Sequence, residues 1–179
     1  ESVARSIFIS PSYLSRIFKQ RLHINFVSYI NTQKMALACE QLVTTDIKIN
    51  LLANELGFSQ TGYFTKLFKR QTGQTPLEYR HSHATTEKFL TIQHDTSWKD
   101  NDTVYDVTRR YFNSHNIDYY AKNINGIIYI KKIGPDSFNE SNGWVYTVDG
   151  TQPAVPANDA PINGKSVVQW AYTEFAKMK

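Results

Sequence analysis

Two short stretches of the chain carry side chains whose types and spacing suit hydrogen bonding to the base edges of duplex DNA. One holds Ser12, Ser15 and Arg16; the other holds Thr61, Gly62, Thr65 and Lys66. An arginine can grip guanine with two parallel hydrogen bonds, and a threonine methyl can meet the methyl of thymine. Gly62 has no side chain, so it suits close backbone approach rather than base reading. Beside these stand Ser10, Lys19, Ser59, Lys69 and Arg70. These suit phosphates, which position a protein on DNA without specifying sequence. The bland alternative is an amphipathic helix with a solvated basic face.

Such side chains need helices that present one face. Leu51–Arg80 (LLANELGFSQTGYFTKLFKRQTGQTPLEYR) reads as two of them around a tight turn. Leu51, Leu52, Glu55 and Leu56 suit a short first helix, with Ala53 small enough for a second helix to cross closely. Gly57 sits where a helix ends in the left-handed conformation, and Phe58 follows as a buried plug. Ser59 reads as the N-cap of the second helix. From Gln60 onward, Tyr63, Phe64, Leu67 and Phe68 recur at helical spacing.

The same pattern occurs upstream. Ser10-Pro11 pairs a capping serine with a proline at the first helical position. Tyr13, Leu14, Ile17 and Phe18 then form the apolar face. SPSYLSRIFK and SQTGYFTKLFK each have a capping serine, then an aromatic-apolar pair, a hydroxyl residue, a base, an apolar residue and Phe-Lys, with Phe18 and Phe68 set 50 positions apart. A repeated helix-turn-helix is far less expected by chance than a single one. Between the copies, Phe26–Thr44 has Val27, Ile30, Met35, Ala38, Leu42 and Val43 on one long helix, about 25 Å in length. Such a spacer can hold two recognition helices about one DNA turn, roughly 34 Å, apart.

Charge supports this division. Residues 1–80 hold 10 Lys/Arg against 5 Asp/Glu, whereas residues 81–179 hold 10 against 11. The basic character behind the pI of about 9.1 therefore belongs to the first half and favours a polyanionic partner there. Cys39 is the single cysteine, so no internal disulfide can form. No apolar run is long enough for a transmembrane helix, and no membrane partner is expected. The chain starts within an apparent helix at Glu1 and reads as a piece of a longer protein.

Residues 3–80 resemble the DNA-binding domain of AraC-family transcription regulators. The resemblance rests on Ser10–Lys19, Tyr29-Ile30, Ile49–Phe58 with Ala53 and Gly57-Phe58, and Tyr63–Lys69. Gly73-Gln74-Thr75-Pro76 and Tyr79-Arg80 complete it. It implies seven helices forming two helix-turn-helix units bridged by a long helix. Two departures stand out: the family's first helix is mostly missing, and His23 replaces the usual glycine after the first recognition helix.

Residues 81–87 read as a linker, and the remainder, 88–179, as a second domain. Lys88–Gln93 alternates as a strand. Asp102 or Thr103 caps a helix running to about Phe112. Ile117–Lys122 and Gly126–Ile133 flank a turn, Trp144–Val148 ends at the turn dipeptide Asp149-Gly150, and Ser166–Tyr172 closes as a strand. A helix among strands in this length gives a small α+β domain. It resembles the transcobalamin-like C-terminal domain through Asp102-Thr103-Val104, Gly126–Ile130, Gly143–Gly150 and Ile162–Tyr172, over roughly Lys88–Thr173. Asp149 and Lys165 stand where asparagine and aspartate are commoner. The resemblance implies a β-grasp-like fold and a capacity for ligand binding, without making a corrinoid the ligand.

Within this half, Trp144, Tyr146, Trp170 and Tyr172 lie at period two on neighbouring strands. They read as candidate ligand-binding residues, although aromatic pairs on a small sheet are more often plain core. His81, His83 and His94 lack the further ligands a metal site needs. No nucleophile elbow, phosphate loop or zinc-protease motif is present, so neither catalysis nor a cofactor is expected.

The expected protein is thus a multidomain α and α+β chain. An all-α double helix-turn-helix bundle over 1–80 is followed by a β-grasp-like domain over 88–179. The expected function is sequence-specific regulation of transcription on double-stranded DNA in the cytoplasm, with a small-molecule effector acting through the C-terminal domain. The alternative is a small-molecule, corrinoid-like binding protein whose helical half does not read DNA.

Overall fold

The structure is a computed structural model, and it describes residues 2–174. Residues 175–179 of the expected C-terminal domain lie outside the described residues.

Six helices fill the N-terminal half: α1 (Ser2–Ser6), α2 (Pro11–Leu22), α3 (Phe26–Thr44), α4 (Ile49–Glu55), α5 (Thr61–Thr72) and α6 (Pro76–Ser82). Local chemistry sets their ends. The Asn25 side chain accepts the amides of Val27 and Ser28 to start α3. His23 ends α2 with φ 57°, so it does take the left-handed position where glycine is usual. Gly57 (φ 76°) and Gly73 (φ 81°) turn the chain after α4 and α5. Thr75 and Glu78 form a reciprocal capping box on α6. Arg80 on α6 then donates to the carbonyls of Leu42 and Ile47, tying α6 across the end of α3.

The helical core is made by α3 to α6. Met35, Ala38, Cys39 and Leu42 meet Leu52, Ala53, Phe58, Phe64, Phe68 and Tyr79. No described side chain of α1 or α2 contributes to that cluster. The first unit leans instead on Phe18, whose ring packs edge-on against Phe26 and Tyr29 at 5.1 and 5.0 Å.

The second half contains β1 (Thr86–Gln93), α7 (Val104–Ser114), β2 (Tyr119–Ile124), β3 (Ile127–Ile133), β4 (Asp136–Ser137), β5 (Asn142–Val148) and β6 (Val167–Glu174). They build two antiparallel three-stranded sheets, ordered β1-β6-β5 and β2-β3-β4. Helix α7 starts at the expected cap, with Thr103 and Asp106 forming a capping box. Its Val104, Val107 and Phe112 join Ile92, Ile130, Ile133, Val168 and Trp170 in a second core.

Two expectations need correction. The stretch 81–87 is not an irregular linker: α6 runs through Ser82 and β1 begins at Thr86, because Tyr79 and Thr86 are both buried and draw ordered backbone with them. Asp149-Gly150 does turn, with φ 51° and 82°, but only the isolated bridge Val148–Thr151 follows it. The true partner of β5 is β6, reached after the loop 151–166. Asn125-Gly126, by contrast, does join two paired strands, β2 and β3.

The sheet β1-β6-β5 packs its second face on α3. Strand β6 is therefore buried on both sides, from Val167 to Tyr172. Trp170 faces the second core, while the Gln169 side chain reaches across to α3. Gln33 on α3 donates to the Ser166 carbonyl at 3.0 Å, and the Tyr29 hydroxyl to that of His94 at 3.1 Å.

Candidate nucleic-acid interface

Helix α2 begins at Ser10, whose hydroxyl accepts the Tyr13 amide at 3.2 Å, with Pro11 in the first turn. Ser12, Ser15, Arg16 and Lys19 all point to solvent along it. Helix α5 presents Gly62, Lys66, Lys69 and Arg70 as exposed residues, with Thr61 and Thr65 half-buried beside them. Leu67, Phe64 and Phe68 pin its other face into the helical core. Each expected contact residue except Ser10, which caps α2, and Ser59 thus lies on one of two helices.

Ser59 does not cap α5. The N-cap is Gln60, with extended backbone and no side-chain capping bond. The repeat itself carries the signal: with Phe18 set against Phe68, Gln60 rather than Ser59 falls opposite Ser10. The first amides of α5 thus have no side-chain cap and point outward, an arrangement compatible with a phosphate oxygen.

Tyr13 and Tyr63 do not pack inward as their spacing suggested. They are 44% and 57% exposed. They are equivalent positions in the repeat, one turn before Arg16 and Lys66 respectively. The Arg16 guanidinium lies 5.3 Å from the Tyr13 ring centre, which orients it along the exposed face. These tyrosines extend the polar faces of both helices.

The C-terminal domain leaves these faces open. It touches α3 along its length, and the Thr151 hydroxyl reaches the Gln71 carbonyl near the end of α5 at 3.2 Å. Among the described residues, no side chain of that domain forms a hydrogen bond or ion pair with Ser12, Arg16, Thr65 or Lys66.

The four aromatic residues singled out on β5 and β6 share one sheet face. Trp144 pairs with Tyr172, and Tyr146 with Trp170, at ring-centre distances of 5.2 and 5.3 Å. Trp144, Tyr146 and Trp170 line a cleft of about 410 Å³ beside β3 and the loop 151–166. Tyr172 is buried outside it, its hydroxyl donating to the Ser137 carbonyl at 2.8 Å. Among the described residues, no group of three or more His, Cys, Asp or Glu side chains could hold a metal ion. None of the described helices is long and apolar enough to cross a membrane.

Comparison with known proteins finds a different family model in each half. Residues 3–82 match the model of a helix-turn-helix domain family, and residues 101–174 that of a domain of unknown function, DUF4430. The first region is 42% identical over 80 residues to the regulatory protein PocR of Salmonella typhimurium, covering 45% of this chain and 26% of that protein. It is 38% identical over 79 residues to the arabinose operon regulatory protein of Escherichia coli, covering 44% of this chain and 27% of that one. The match thus spans about a quarter of the length of these relatives. Among solved structures, the C-terminal domain of AraT, a response regulator from Geobacillus stearothermophilus, is 37% identical over 45% of this chain and 67% of that chain, with a TM-score of 0.44. Residues 3–82 are a helix-turn-helix DNA-binding domain of the AraC type.

Proposed function

We propose that this protein is a sequence-specific transcription regulator in the cytoplasm, and that its C-terminal domain is a transcobalamin-like, β-grasp-like module sensing a small molecule. One observation carries the DNA reading. The polar faces of α2 and α5 stay exposed while the C-terminal sheet occupies the other side of α3. In this reading Ser12, Ser15, Arg16, Thr61, Thr65 and Lys66 meet base edges, with Gly62 allowing close approach. Lys19, Lys69, Arg70 and the starts of both helices, at Ser10 and beside Ser59, meet phosphates. Strand β6 supports a sensing role, because Trp170 on one face lines the cleft while Gln169 on the other bonds α3.

Selection of bound duplexes from a random pool tests the proposal, repeated with and without candidate small molecules. Recovery of a shared motif with two half-sites is the expected result. Equal, weak binding to all duplexes would sink it.

The rival is a ligand-binding protein whose helical half does not read DNA. It is favoured by the absence, among the described residues, of any α1 or α2 side chain from the main helical core. A ligand that raises the melting temperature, where a selected duplex does not, decides for the rival.

A further inference from the structure

We propose that the cleft between the two sheets of the C-terminal domain binds a small molecule with a planar apolar body and a single anionic group, the anion meeting Lys131. This rests on the reading of that domain as a sensor. The cleft, about 410 Å³, falls in the size range of small-molecule sites. Trp144, Tyr146 and Trp170 wall it from β5 and β6. Tyr129, Phe138 and Val155 stand at its mouth, between 42% and 46% exposed. Apolar surface exposed at the lip of a concavity gains by being covered.

These rings are held in place, and the bonds that hold them use up their donors. The Trp144 indole N–H donates to the Asp136 carbonyl at 3.0 Å, and that of Trp170 to the Thr108 hydroxyl at 3.0 Å. The Tyr146 hydroxyl donates to the Val155 carbonyl, which pins the loop 151–166 across the cleft. A sugar or other polyhydroxyl compound would meet few free partners here and would lose its water without compensation. A flat apolar molecule stacks on the rings and loses nothing.

Lys131 supplies the charge preference. Its ammonium lies 3.4 Å from the Phe138 ring centre and 5.4 Å from that of Tyr129. Among the described residues no carboxylate stands within ion-pair distance of it. The lysines on either side in the fold differ: Lys88 is held by Asp136 at 2.7 Å and Lys132 by Asp118 at 2.6 Å. An ammonium stacked among aromatic rings, with no carboxylate of its own, favours an anion and disfavours a cation.

The test titrates the full chain with two fluorescent probes. One is 8-anilinonaphthalene-1-sulfonate; the other is N-phenyl-1-naphthylamine, the same rings without the sulfonate. Lys131→Gln is expected to weaken the sulfonate about fivefold, as for a partly exposed ion pair, and to leave the neutral probe unchanged. Lys122→Gln, a second exposed lysine of the domain, is expected to change neither. Val155→Trp, which fills the mouth, is expected to abolish both. Circular dichroism checks that each variant is folded, and if Val155→Trp is not, the Lys131→Gln comparison decides. Sulfonate binding unmoved by Lys131→Gln, or both probes weakened alike, overturns the anion assignment. No binding, or binding insensitive to a folded Val155→Trp, overturns the cleft. Duplex affinity measured with and without bound probe reports separately on sensing: unchanged affinity with Lys131-dependent binding intact removes the sensor role and keeps the cleft.

Discussion

The Gln169 side-chain amide donates to the carbonyl oxygen of Ala36 at 3.0 Å, joining the central strand of the C-terminal sheet to the helix that bridges the two helix-turn-helix units. The same amide also donates to the Thr91 hydroxyl at 3.1 Å. Gln169 is only 2% exposed, so these bonds sit where water does not compete. A polar side chain there is tolerated because α3 and β1 both supply acceptors. The contact makes the two halves one packed body rather than two beads on a string.

Gln169→Ala removes both bonds and leaves a small void. The expected cost is about 1–3 kcal/mol, read as a lower midpoint in urea unfolding. An unchanged midpoint would mean that the sheet does not dock on α3 in solution.

The two helix starts make a paired prediction. Ser10→Ala removes the acceptor for the Tyr13 amide and should cost about 1 kcal/mol. Ser59→Ala should stay within about 0.5 kcal/mol, since Ser59 accepts no capping bond. Thermal unfolding of both variants separates the two cases, and equal losses would contradict the capping assignment.

DNA contacts divide by salt dependence. Lys69→Ala and Arg70→Ala should each reduce the slope of log affinity against log salt by about 1, with the preferred sequence unchanged. Arg16→Ala should instead relax the preference at one position, at a cost of about 1–3 kcal/mol on the selected duplex. Fluorescence anisotropy across a salt series measures both. Tyr13→Ala tests whether the neighbouring ring holds the guanidinium in place, and should weaken binding less than Arg16→Ala does.

Asp149 predicts a pH effect. Burial raises its pKa above the ordinary carboxylate value, although the amides of Ser166 and Val167 donate to it at 2.9 Å and Lys165 and His94 lie near. An acid with a raised folded-state pKa supports folding below its unfolded pKa of 3.8 and loses that support as pH rises through the folded value. Asp149→Asn keeps the accepting oxygen and tolerates the left-handed backbone at φ 51°. Its melting temperature should exceed the parent's by about 2–4 °C at pH 7, with the gap closing towards pH 4. A constant gap across that range would rule out the buried charge as its source.

Cys39 reports on the helical core. It is fully buried against Tyr79, and burial pushes its thiol up to about 12. The folded chain should resist Ellman's reagent at pH 8 and react with one equivalent once unfolded. Rapid reaction of the folded chain would show that the core opens locally.

Local pattern was enough to find the helix-turn-helix repeat, because its information is short-range. Capping residues, a left-handed turn and apolar spacing act within a few positions, so Ser10, Gly57, Phe58 and Thr103 could be read directly. The 50-residue offset even held the correction from Ser59 to Gln60. Tertiary structure decided what depends on contacts distant in the chain. Whether Tyr13 and Tyr63 point inward depends on which neighbours fill the core, and Phe64, Phe68 and their partners from α3 and α4 already do so. Whether 81–87 is loose depends on the burial of Tyr79 and Thr86 by elements far along the chain. Above all, Gln169 reads as an ordinary polar residue on an alternating strand. Only the packing of β6 between the C-terminal core and α3 gives both of its faces a partner, because a strand's second face is buried by whatever the fold brings to it.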